Sequence, residues 1–575
     1  MRALTLSSLL LALKTTGALA GKANTFEIVG HTGVSAQQLF LGNEKKIYVV
    51  DKVEKNPVEV NGHPAWAVEY DLETHTTRAL DVITNSFCAG GNVLGNGSWL
   101  NVGGNNAVTT GGTCVWHDDP DFMDEAERWY PTLEAVEDGS NIIMGGELWG
   151  GFVNSVDQMQ NTPTYEFFPT RGDPITMQFL LDTQPANVRF ESKWEYGLLN
   201  YTSNEELRLP NITHAQRTYP SSGAVAMLPL TLANNYEPTI LFCGGMDPVR
   251  DDWNQTAWAV VKTPTSNSCV SIAPMDGKKA KWIDEDDMPE NRGMGSAVIL
   301  PDDRIFVVNG SYATDPVTRP AYYNHTAPKG SQWDSDLPHS TVNSMYHSVA
   351  TLIPDGSIFI AGSNPNADVI TEENNSTYLY KTEYRSEIFY PSYYDQPRPE
   401  PTGMPASISY GGDHFDLELP ASSIEGVDLA VDVKVKVIRT GFSTHAMNFG
   451  MKSIELATSY SATSSGATLH VSQLPPNPAL FQPGPALLFV VISGVPSHGV
   501  FVMCGSGQIE TQPLLAATVL PKSTTDLSAS SSTSTNGTSG AKKLAAESGA
   551  ARSVGGWWSA AVVAVVVMGL PLSRL

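Results

Sequence analysis

Short apolar runs punctuated by turn residues, rather than long amphipathic stretches, set the pattern of this chain. A run of a few apolar residues leads to Gly, Asn or Asp, then to a second apolar run, then to glycine. The unit appears as Leu41-Gly42-Asn43 with Ile47-Tyr48-Val49-Val50, here without the closing glycine. It returns as Val93-Leu94-Gly95-Asn96-Gly97 with Trp99-Leu100-Asn101-Val102-Gly103-Gly104, and as Glu137-Asp138-Gly139 with Ile142-Ile143-Met144-Gly145-Gly146. Further copies end in Ile240-Leu241-Phe242-Cys243-Gly244-Gly245, Ile305-Phe306-Val307-Val308-Asn309-Gly310 and Ile358-Phe359-Ile360-Ala361-Gly362. Turn residues between β-rich runs predict hairpins.

These hairpins recur mostly at intervals of roughly forty to sixty-five residues, with one gap about twice as wide where a degenerate copy would fit. One small sheet cannot bury both of its faces alone, so neighbouring sheets are expected to stack around an axis. The pattern predicts an all-β chain that starts with a seven-bladed kelch-like β-propeller over residues 21–395. After a Pro-rich stretch at 397–405 the periodicity changes. Val431, Val433, Val435 and Val437 alternate with polar residues, and residues 486–492 form a continuous apolar run, as in a strand buried on both faces. A second, immunoglobulin-like β-sandwich domain is expected over 396–520, within the usual size of a domain.

The ends carry different signals. Arg2, an apolar run at 9–13 and Ala18-Leu19-Ala20 make residues 1–20 a secretory signal peptide. A Ser/Thr-rich stalk is expected over 521–549. Ser548-Gly549-Ala550, a short polar spacer and an apolar tail at 557–572 read as a GPI-attachment signal, residues 550–575 being removed on maturation. The alternative is a short transmembrane anchor. Asn-x-Ser/Thr sequons at Asn96, Asn200, Asn211, Asn254, Asn309, Asn324 and Asn374 agree with secretion. With 60 acidic against 35 basic residues, a net charge of -25 argues against nucleic acid and against anionic membrane surfaces as electrostatic partners. The expectation is a glycosylated monomer at the cell surface, in contact with the membrane only through its lipid anchor.

Five cysteines, Cys88, Cys114, Cys243, Cys269 and Cys504, leave at least one outside a disulfide. Cys243 and Cys269 are close enough in sequence to pair. Cys88 is the one singled out, because glycines follow it in Phe87-Cys88-Ala89-Gly90-Gly91 and permit close backbone approach.

Candidate chemistry centres on Tyr346-His347, in Ser344-Met345-Tyr346-His347-Ser348, with His445 about a hundred residues later. Successive side chains on a strand point to opposite faces, so the backbone must bend for this pair to share one ion. Phenol and imidazole donors suit copper or iron rather than calcium or magnesium. Other histidines, among them His31, His339, His414 and His498, read as surface or structural.

Four motifs now occur in a recognisable order: Phe87-Cys88-Ala89-Gly90-Gly91, Arg128-Trp129-Tyr130-Pro131-Thr132, Met345-Tyr346-His347-Ser348 and Thr444-His445-Ala446-Met447-Asn448. In these the chain resembles the copper radical oxidases, and glyoxal oxidase more than galactose oxidase. Residues 219–230 and Pro483-Gly484-Pro485 add to the likeness. The resemblance implies a thioether between Cys88 and the ring of Tyr130, forming a tyrosyl radical cofactor. It implies a copper ion held by Tyr130, Tyr346, His347 and His445, with Tyr346 as general base. The implied activity is oxidation of small aldehydes, such as glyoxal or methylglyoxal, to carboxylic acids while O2 becomes hydrogen peroxide. Two alternatives stay open: a primary-alcohol or galactose-type oxidase with the same centre, and a non-catalytic propeller used for carbohydrate binding or adhesion. Trp149 is the candidate to stack on the radical, one residue beyond Leu148, which the glycines of Gly145-Gly146-Glu147-Leu148-Trp149-Gly150-Gly151 would align there.

Overall fold

The computed structural model describes residues 21–526, apart from 83, 105–127, 148–160, 183–194, 218–221, 247–262, 313–314, 367–368 and 372–376. Cys114, Leu148, Trp149, Asn254, Asn374, the signal peptide and the chain beyond 526 lie outside the described residues, so the expectations that fall on them stay as stated.

The N-terminal part is a propeller-like wheel of antiparallel sheets. Among the described residues, five sheets are built on four strands, and the longer of the separate hairpins are Gly90–Val93 with Trp99–Val102 and Tyr196–Asn200 with Glu205–Leu209. The second hairpin sits in the wide gap of the sequence repeat. Each repeat turned into strands where the apolar run was expected: Ile305–Val308 and Ile358–Ala361 are buried at every position. The closing glycines make the bend after such a strand. Gly244 and Gly245 have φ of 80° and 92°, and any Cβ there would press into the backbone of Arg292 or Gln216. The repeat pattern does not show how the wheel is closed. The first strand, Thr25–His31, pairs antiparallel with Arg385–Tyr390, so the last blade borrows its outer strand from the N-terminus.

Beyond residue 400 a sandwich of two sheets follows. One contains Val433–Arg439, Gly484–Ile492 and Val500–Cys504; the other contains Phe415–Pro420, Gly466–Val471 and Thr458–Thr463. Gly484–Ile492 carries the apolar run read from the sequence, and its two faces feed two different cores. Ala486, Leu488, Val490 and Ile492 pack inside the sandwich, while Leu487, Phe489 and Val491 pack with wheel residues such as Phe306, Phe359 and Phe389. A strand with period two thus glues the domains together. The sandwich also runs further than the sequence pattern suggests: Thr524–Asp526 pairs in parallel with Ser461–Thr463, so the first residues of the expected stalk are part of the fold.

Of the cysteines, Cys243 and Cys269 form a disulfide between neighbouring strands. Cys88 is unpaired as expected. Among the described residues Cys504 is a second free thiol, fully buried in the sandwich core.

A candidate copper centre at the hub

Cys88, Tyr130, Tyr346, His347 and His445 come from four distant segments, and the fold brings all five together. Cys88 Sγ and one ring nitrogen each of His347 and His445 lie within 4.8 Å of one another, all three residues buried. The ring of Tyr130 meets His445 edge-on with centroids 5.3 Å apart, and that of Tyr346 stands 5.8 Å from it. The Tyr130 amide donates to the Cys88 carbonyl at 2.7 Å, which fixes the two backbones side by side, and their side chains also interact.

The local backbone explains how neighbours in sequence point one way. Tyr346 and His347 stack with centroids 3.7 Å apart because His347 adopts φ of 61°, in the left-handed region, just before the strand Val349–Leu352 begins. Cys88 at 60°, Tyr130 at 56° and His445 at 48° are left-handed as well. Non-glycine residues adopt this region rarely and at a cost, and persist there where the surroundings over-determine them.

His445 arrives on a hairpin rather than on a loose loop. Phe442–Thr444 pairs with Met447–Phe449, and His445 and Ala446, both with positive φ, form its two-residue tip. The first arm also pairs antiparallel with Gln38–Phe40 of the first blade, extending that sheet to six strands. The second domain therefore inserts a strand into the hub. Gly91 makes room for it, since a Cβ there would collide with the Phe442 ring.

Hydrogen bonds aim the imidazoles. His347 Nδ1 lies 2.9 Å from the Asn364 carbonyl, which can only accept, so Nδ1 carries the proton and the Nε2 lone pair faces the centre. His445 Nδ1 is 2.6 Å from Thr444 Oγ1. Burial pushes His445 down to about 3 and holds His347 well below the usual imidazole range, helped by His445 beside it, so both rings are neutral at physiological pH. Burial drives the Cys88 thiol strongly upward, so a free Cys88 stays protonated. The tyrosines are only half-buried, which leaves the phenol side of the cluster as its approach to solvent.

Sequence reasoning missed several contributors. Gln37, 1 % exposed, sets its carboxamide nitrogen 3.8 Å from Cys88 Sγ and 3.2 Å from His347 Nε2. The only hint was a Gln37-Gln38 pair leading into an apolar strand. Met294, itself at φ of 58°, packs against Tyr130 and Tyr346. A buried relay runs behind His347: Asn364 Nδ2 donates to Glu54 at 3.1 Å, and Glu54 pairs with Lys52 at 3.4 Å, whose ammonium lies 4.8 Å over the Phe87 ring.

Two neutral imidazoles and two phenols converging in a buried pocket fit a copper or iron ion better than a hard cation. Residues 43–393 match the sequence profile described as "Glyoxal oxidase N-terminus". The chain belongs to the glyoxal oxidase family. Residues 398–504 match the profile "Galactose oxidase-like, Early set domain", which agrees with the sandwich. An aldehyde oxidase GLOX of Vitis pseudoreticulata is 30% identical over 480 residues, covering 75% of this chain and 84% of that protein. The aldehyde oxidase GLOX1 of Arabidopsis thaliana is 28% identical over 78% of this chain and 76% of its own length. A galactose oxidase of Gibberella zeae is 23% identical, over 72% of this chain and 59% of its own. Among solved structures, a copper-bound fungal alcohol oxidase shares the fold, with TM-score 0.59 and 14% identity over 84% of this chain and all of the other. As a glyoxal oxidase family member the chain is a copper radical oxidase.

Proposed function

We propose that this oxidase converts small aldehydes to carboxylic acids outside the cell and reduces O2 to hydrogen peroxide. The observation that supports the reading best is Cys88 lying against Tyr130 beside two buried, neutral imidazoles. In this reading Tyr130, Tyr346, His347 and His445 hold the copper ion, and Cys88 is joined to the Tyr130 ring as a thioether. The aldehyde relatives lend support to the substrate class, the signal-like first twenty residues and the GPI-type tail to a membrane-tethered protein, and the sequons to its glycosylation.

Oxidation of an aldehyde hydrate releases two electrons and two protons; O2 takes up both pairs as hydrogen peroxide. Bound copper supplies a one-electron couple and a place for the hydrate oxygen. The remaining electron falls to Tyr130, whose ring the thioether makes easier to oxidise. Tyr346 accepts the hydroxyl proton, and its partly exposed phenol suits that role, since a base must reach substrate entering from solvent. Tyr130 takes the hydrogen atom from the carbon. His347 and His445, kept neutral by burial, contribute lone pairs without losing a proton first.

Peptide mass spectrometry on copper-loaded protein tests the centre: a peptide containing Cys88 should be joined to one containing Tyr130, two hydrogens lighter than their sum and resistant to reductants. Peroxide release with methylglyoxal tests the substrate class. Separate, unlinked peptides in fully active protein would overturn the radical assignment.

A further inference from the structure

A second group of metal-type side chains lies on the sandwich, on and beside a regular strand pair. Asp416 and His470 face each other across the antiparallel pair of Phe415–Pro420 and Gly466–Val471. His414 precedes Asp416 by two residues, the spacing that puts side chains on one face of an extended chain. All three converge: one oxygen of Asp416 lies 2.7 Å from His470 Nδ1 and 3.5 Å from His414 Nε2, and the three ligand atoms fall within 4.8 Å of one another.

We propose that His414, Asp416 and His470 form a binding site for a divalent transition metal of the zinc and copper(II) class. The donor set argues for that class. Two imidazoles and one carboxylate suit zinc or copper, whereas calcium and magnesium call for oxygen donors throughout. Donors around a tetrahedral ion stand about 3.3 Å apart when each bond is about 2.0–2.1 Å, so the observed separations need only small side-chain shifts. A structural support is already in place. His470 Nδ1 now faces the Asp416 carboxylate, and an ion that takes Nδ1 leaves the ring proton on Nε2, where Ser461 Oγ at 3.0 Å accepts its hydrogen bond. The Ser461 hydroxyl is also 3.4 Å from Thr524 Oγ1, which ties the site to the segment where the chain leaves the domain. Asp416 and His414 are partly open to solvent, which gives an ion a way in, and two neutral imidazoles with one carboxylate leave a bound divalent ion with net positive charge on a strongly acidic protein. His414, which the sequence pattern reads as surface or structural, becomes a ligand.

The test uses the full secreted chain purified without a histidine tag, stripped of metal and equilibrated with micromolar zinc, and compares wild type with His414→Ala and His470→Gln. Metal content by mass spectrometry should be one equivalent higher in wild type than in either variant, and zinc affinity at this site should drop at least about tenfold. Because the reading is a difference, zinc held at the hub or elsewhere cancels. His414 lies before the strand, so His414→Ala keeps the sheet even if His470→Gln perturbs it. In parallel, zinc should raise the melting temperature of wild type more than that of His414→Ala. Equal zinc content and equal thermal shifts in wild type and His414→Ala would overturn the site, leaving a hydrogen-bonded surface triad. Repeating the titration with copper(II) shows which of the two ions it prefers.

Discussion

The hub and the outer face of the sandwich each bring two histidines within reach of one ion, yet the fold treats them in opposite ways. At the hub, four of five converging residues sit on left-handed backbone, and both imidazoles are buried and neutral. On the sandwich, His414, Asp416 and His470 stand on extended strand or beside it, partly exposed, with none of them at positive φ. Strain and desolvation are therefore not the general cost of gathering ligands. They mark the place where side chains from four segments must point at one spot, whereas a period-two strand collects three donors on one face without either cost.

The largest expected effect breaks the hub outright. His445→Ala removes the one donor that the second domain contributes; copper affinity should fall by more than the roughly 10–100-fold seen when an outer partner is lost, and oxidase turnover should disappear. Metal analysis and a peroxide assay check it, and the variant's melting temperature shows whether the domains still dock.

Acid measures the desolvation half of the comparison. In metal-free protein His445 has its folded pKa lowered to about 3, and His347 is lowered too. A depressed group leaves its stability in place above the ordinary imidazole pKa of about 6.5 and loses it as pH falls toward the folded value. For His445 the shift amounts to on the order of 5 kcal/mol. Urea unfolding of the metal-free chain should therefore weaken progressively from about pH 6.5 downward, and His445→Ala should flatten that dependence. An unchanged slope in the variant would show that other groups dominate it.

A packing change sharpens the contrast next. Gly91→Ala presses a methyl group into the Phe442 ring and lifts the hairpin from the first blade. Such overpacking costs about 1–3 kcal/mol, read as a lower melting temperature together with weaker copper binding. The sandwich site should be indifferent to it.

The smallest effect concerns Gln37. Gln37→Leu keeps much of the volume and removes the N–H groups that lie on Cys88 Sγ and His347 Nε2. The optical band of the oxidised centre should shift because the sulfur loses its donor, whereas copper affinity should hold, since Nε2 gives its one lone pair either to the ion or to Gln37. No shift in the band would limit Gln37 to a packing role.

What was legible in the sequence follows from the range of each signal. Strand ends are local, and the Gly-Gly closures mark them, as at Gly244-Gly245. Buried-on-both-faces is local too, so residues 486–492 were read correctly as a strand between two cores. The cluster of five was legible because the Tyr-His pair and the Cys88 motif carry unusual residue types in a fixed order. Closure of the wheel was not, because Thr25–His31 and Arg385–Tyr390 find each other across most of the first domain. Gln37, Asn364 and Glu54 were equally silent: a polar residue beside a strand declares nothing until the strand's neighbours are known. The hairpin tip at His445-Ala446 was silent as well, since neither residue is a usual choice for a turn with positive φ.

The insertion of Phe442–Thr444 into the first blade means that the cluster draws on both domains, from Cys88 to His445. A ribosome-bound fragment, or a chain clipped between the domains, has no complete cradle for the ion. Assembly of the cluster thus waits until the hairpin of the second domain has been made and docked, a delay written into topology.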